Sequence, residues 1–85
     1  MAYQVLVKRS ARKEIEALPV RDQRRVVAAI EALSENPRPP GVRKLAGAEN
    51  HYRIRLGDYR IVYEIADKRL LVFVVRVGHR RDVYR

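Results

Sequence analysis

The sequence has no cysteine and no tryptophan, and only two histidines. Without thiols there are no disulfides and no thiolate ligands, and two imidazoles alone make a poor metal site. Neither a metal nor a cofactor is therefore expected. No apolar run approaches the ~20 residues that a bilayer span needs, and Met1-Ala2-Tyr3-Gln4 lacks the charged flank and apolar stretch of a signal peptide. The expectation is a cytoplasmic protein with no membrane partner. Acidic residues are scarce too, ten against nineteen basic ones, which leaves a net charge of +9.

What is present is arginine, which supplies fifteen of the nineteen basic residues. Lysine would serve solubility equally well, whereas the planar guanidinium fork grips phosphate with two hydrogen bonds. A polyanion, most often nucleic acid, is the partner this charge suggests, with an acidic protein surface as the alternative. A chain of 85 residues makes one domain, residues 1–85. Such a domain buries roughly 60–65% of its unfolded surface, enough for a thin core and a shallow surface groove.

Hydrophobic periodicity orders the chain. Tyr3 to Lys8 is short and β-branched and reads as a strand. Ser10 is placed to cap a helix through Ala11, Ile15 and Leu18, which Pro19 ends. A second helix is expected from about Asp22 to Asn36, with Val26, Val27, Ile30 and Leu33 as its buried stripe. From Val42 the period becomes two. Val42–Leu45 is a weak strand, and Tyr52–Leu56 and Tyr59–Ile65 alternate around a Gly57-Asp58 hairpin turn. Asp67-Lys68 reads as another tight turn. Arg69–Val77 is almost wholly apolar, as a central strand should be. The fold class expected is α+β: a strand, two helices, then an antiparallel β-meander with both helices packed on one sheet face.

A two-residue hairpin has a chemical consequence. It sets Leu56 opposite Tyr59, Arg55 opposite Arg60 and Ile54 opposite Ile61, and opposed residues share a face. Tyr52, Ile54, Leu56, Tyr59, Ile61 and Tyr63 then face the helices, while Arg53, Arg55 and Arg60 face away, with His51 on their side. Opposed arginines repel, so the arrangement makes sense either around a bound anion or as a solvated, salt-screened face. Removing Arg60 is expected to relieve that repulsion and leave the fold intact or more stable. The C-terminal His79, Arg80, Arg81 and Tyr84 follow the most apolar strand. Histidine, arginine and tyrosine together suffice for metal-free RNA cleavage: a base takes the 2′-hydroxyl proton, cations stabilise the phosphorane, and an acid protonates the leaving oxygen. Tyrosine can also stack on a base.

The segments from Tyr52 to Tyr63 and from Val77 to Tyr84, with the Ser-Ala-Arg-Lys-Glu opening of the first helix, resemble the RelE/ParE toxin superfamily over essentially the whole chain, and RelE-type toxins above all. The resemblance implies a microbial-ribonuclease-like sheet and a toxin of a type II toxin–antitoxin system. It implies ribosome-dependent cleavage of mRNA in the A site, and a cognate antitoxin that wraps the toxin. On it, Arg60, Arg80 and Tyr84 are candidate catalytic residues, and the reading of the residues adds Arg55 and His79 to them. Arg53, Arg81 and His51 are the candidate RNA-binding residues. Arg53 and Arg55 stand where the best-known member has lysines. An arginine effectively cannot give up its proton, so charge stabilisation transfers to these positions and a general-base role does not. ParE-type members share the fold and inhibit DNA gyrase without nuclease activity. That activity is the alternative reading, beside a non-catalytic ribosome- or RNA-binding module.

Overall fold

In the computed structural model, which describes residues 2–47 and 49–79, the first strand, β1 (Gln4–Val7), runs directly into helix α1 (Arg9–Glu16). Helix α2 (Val20–Ala32) follows. Strands β2 (Arg43–Lys44), β3 (His51–Leu56), β4 (Tyr59–Ala66) and β5 (Leu71–His79) complete the fold. The strand order is β1-β5-β4-β3-β2. The last four strands form the expected antiparallel meander, and β1 returns to its edge in parallel with β5. The sheet is therefore mixed, with both helices packed against one face.

Core positions on that face are the ones the alternation marks. Ile54, Ile61, Tyr63, Ile65, Val72, Val74 and Val77 meet Ala11 and Ile15 of α1 and Val26, Ile30 and Leu33 of the α2 region. The phenol of Tyr63 is buried, which pushes its pKa up to about 12. Its hydroxyl donates to the Pro37 carbonyl at 2.7 Å. The hairpin is as expected, with Gly57 in the left-handed region at φ 61° and Leu56 opposite Tyr59.

Four expectations are corrected. Ser10 is not the cap of α1. Lys8 holds that position with extended backbone, and its amide still donates to Val74 at 2.8 Å in the sheet, so the helix begins at once with Arg9. Helix α2 starts at Val20, with Pro19 before it, and stops at Ala32. Its last turn tightens into i→i+3 bonds, and Ser34 is tied to β1 through Tyr3: Ser34 Oγ donates to the Tyr3 carbonyl at 2.7 Å. Val27 is 41% exposed, because one residue beyond Val26 lies about 100° round the helix. The β4–β5 connection is a 3-10 turn at Asp67–Arg69 that closes on Leu70 in the left-handed conformation, and β5 is shifted to Leu71–His79.

Candidate nucleic-acid interface

The sheet face away from the helices carries its cations in two cross-strand rows. In one, Arg55 of β3 stands opposite Arg60 of β4, which stands opposite Gly78 of β5. In the next, Arg43, Arg53, Val62 and Arg76 lie in succession across β2 to β5. The hairpin pairing predicted Arg53, Arg55 and Arg60. Arg43 and Arg76 were missed. Arg43 lies on a strand of two residues with no alternation to read. Arg76 reaches this row only because of a register shift between Val62 and Tyr63, which leaves Val75 out of the pairing.

The two opposed arginines are unlike. Arg55 is exposed, whereas Arg60 is only 7% exposed, the one buried charged side chain among the described residues. Its guanidinium is not without partners, although its Nε meets no acceptor among the described residues. Burying a charge costs several kcal/mol unless hydrogen bonds and counter-charge offset it, so Arg60 belongs to the packing of this face as well as to its charge. This burial argues against the expectation that its loss leaves stability intact. Arg43, Arg53 and Arg55 make no ion pair among the described residues. Arg76 turns to the sheet edge, where its Nε lies 3.6 Å from a carboxylate oxygen of Glu14.

The two histidines lie apart from the arginine rows. His51 shares the open face but is bound at both ring nitrogens, Nδ1 2.9 Å from the Glu49 carbonyl and Nε2 3.0 Å from the Glu64 carboxylate. His79 is opposite Tyr59 in the β4–β5 ladder, and the two rings meet edge to face with centroids 6.3 Å apart. Tyr59 in turn donates its hydroxyl to Asp22 of α2 at 2.9 Å, which raises the phenol's pKa. His79 is thus one residue beyond the neighbour of Arg60 but on the helix side of the sheet. Arg80, Arg81 and Tyr84 lie outside the described residues. Among those described, no cluster of His, Asp and Glu could hold a metal ion, and no helix is long and apolar enough to cross a membrane.

A groove of about 470 Å³ runs between α2, the Pro39-Pro40 loop and Ile54, with Arg55 among its lining residues. Its walls are mainly apolar. The chain is thus an α+β domain with its helices on one sheet face and rows of arginines on the other. Residues 5–84 match the family described as "ParE toxin of type II toxin-antitoxin system, parDE". The chain is 38% identical to Toxin RelG of Mycobacterium tuberculosis, covering all of this chain and 99% of that one. It is 33% identical to the mRNA interferase toxin RelE of Escherichia coli, covering 99% and 92%. The toxin in the archaeal RelE–RelB complex from Pyrococcus horikoshii superposes with a TM-score of 0.84 at 30% identity, covering 98% of this chain and all of that one. The chain belongs to this ParE toxin family, within the RelE/ParE superfamily.

Proposed function

We propose that this toxin is an endoribonuclease that cuts messenger RNA in the ribosomal A site, and that its arginine rows hold the scissile phosphate. The observation that carries the reading is the Arg55–Arg60 pair, like charges opposed on an open sheet face with Arg43 and Arg53 in the adjoining row. Such pairing destabilises a sheet unless an anion lies between the charges. The reaction needs no metal. The 2′-hydroxyl loses its proton to a base and O2′ attacks the adjacent phosphorus. The bond to the 5′-oxygen then breaks and that oxygen takes a proton, leaving a 2′,3′-cyclic phosphate and a 5′-hydroxyl. Arg55 and Arg60 bind the phosphate and stabilise the phosphorane, with Arg80 joining them from the C-terminal segment. Arg53 and Arg81 bind the flanking backbone. Tyr84 transfers a proton or stacks on a base. The side on which His79 meets Tyr59 favours Tyr84 over His79 for proton transfer, and the engagement of both nitrogens of His51 leaves His51 at most a binding role.

A thin domain with a flat cationic face can hold few groups of its substrate. Positioning is worth ~7–11 kcal/mol of a barrier, and the ribosome supplies it. Relatives in this family are seen in complex with RelB antitoxins, and a cognate antitoxin that brings acidic residues to the arginine rows would silence this one. Primer extension on a messenger with and without ribosomes is the test: cuts confined to the ribosome-bound sample support the reading, and equal cutting of free RNA ends the ribosome requirement. The family description names ParE, so inhibition of DNA gyrase is the second reading. Cutting of neither RNA sample, with gyrase-dependent DNA breaks, would favour it.

A further inference from the structure

Strand β5 loses its outer neighbour halfway along. Pairing with β1 covers only Leu71–Val74, and the last hydrogen bond on that edge runs from Lys8 N to the Val74 carbonyl. The unpaired Val75 follows, and then the four residues that lead into Arg80. An edge with unsatisfied backbone donors frays or slips in register. Here Glu14 takes the place of the missing strand. One carboxylate oxygen accepts from the Val77 amide at 3.0 Å, and the other lies 3.6 Å from Arg76 Nε. The side chain is well anchored, because Ala11 and Ile15, one turn before it and one residue after it, are both buried in the core.

The register held in this way matters to the arginine rows. Every residue beyond Val75 has exchanged faces relative to an uninterrupted strand. Without the shift Val77 would stand opposite Arg60 in place of Gly78, and the core would lose a valine that is 1% exposed. With it, Arg60 has a residue without a side chain beside it.

We propose that Glu14 is a positioning residue: by holding the amide of Val77 and the side chain of Arg76, it fixes the β5 register that places Gly78 beside Arg60 in the arginine face. Its effect on cleavage rests on the ribonuclease reading, while its effect on the β5 edge does not. Glu14→Ala and Glu14→Gln in the full chain separate the two. Glu14→Ala should cut ribosome-bound messenger roughly ten- to a hundredfold more slowly in single turnover, since misplacement of about 1 Å costs that much. The ribosome concentration at half-saturation should barely move. Hydrogen exchange at the Val77 amide should quicken at least about tenfold as the edge opens. The glutamine keeps an acceptor for Val77 and should restore most of both. Parental cleavage by Glu14→Ala overturns the catalytic part, and an unchanged Val77 exchange rate overturns the whole. A rate loss that only follows the unfolded fraction in a thermal melt, and that Glu14→Gln does not rescue, makes Glu14 a stability residue and also overturns it. If the parent chain itself cuts no RNA, the ribonuclease reading fails, and the exchange rates still decide whether Glu14 holds the register.

Discussion

Two rungs of the same β3–β4 ladder, on the same open face, are built in opposite ways. At one end His51 faces Glu64 across the strands at 3.0 Å. Four residues along β4, about 13 Å at ~3.3 Å per residue, Arg55 faces Arg60. In sequence both are polar residues alternating with apolar ones, and both would be read as a solvated face. The first rung sets a histidine against a carboxylate. The second sets two arginines opposite one another beside Arg43 and Arg53, with one of its members buried. On the proposed function, the anion sits at the second rung and not at the first. Elsewhere, away from the arginine rows, Arg38 bonds Asp67 at 2.9 and 3.1 Å and Tyr3 donates to the same carboxylate at 2.7 Å.

The largest effect should come from breaking the arginine rung at its buried member. Arg60→Ala should reduce cleavage at least ~100-fold, the scale of a lost oxyanion donor, and should cost about 1–3 kcal/mol of stability through lost buried contacts. Arg55→Ala should also impair cleavage but leave stability within about 0.5 kcal/mol. Chemical denaturation of both variants alongside primer extension tests the contrast, and equal stabilities would show that the burial of Arg60 carries no energy.

A smaller change makes the two rungs alike. Arg55→Glu sets a carboxylate opposite Arg60 and should stabilise the sheet by roughly 0.2–1 kcal/mol while weakening RNA binding. Glu64→Gln, at the rung already balanced, should leave cleavage at the parental rate. RNA affinity that survives Arg55→Glu, or is lost with Glu64→Gln, would move the binding surface to the other end of the face.

The gentlest way to sharpen the comparison is acid. Hydrogen bonds from Arg38 and then Tyr3 hold the Asp67 pKa down to about 2, against an ordinary 3.8. A depressed carboxylate contributes stability that is present above its unfolded pKa and lost as pH falls through the folded one. Melting temperature should therefore decline from about pH 4 toward pH 2, and Asp67→Asn should flatten that part of the curve. If the Asp67→Asn curve matches the parent's, the Arg38–Asp67–Tyr3 contact does not stabilise the fold.

Sequence by itself determined the order of elements, the fold class, the hairpin at Gly57-Asp58 and the pairing of Arg55 with Arg60. These follow from local rules: period two against period 3.6, a two-residue turn that fixes register, and side chains that alternate across a strand. The resemblance in the Tyr52–Tyr63 and Val77–Tyr84 segments pointed to the toxin family. Tertiary structure decided the rest. It returned β1 to the sheet edge in parallel with β5, buried Arg60 while leaving Arg55 in water, and turned His79 toward Tyr59. It also added Arg43 and Arg76 to the face and set Glu14 on the Val77 amide, 63 residues away in the chain. Periodicity could not foretell these, because one unpaired residue at Val75 reverses which side every later residue of β5 faces. Only packing against α1 decides where that residue falls.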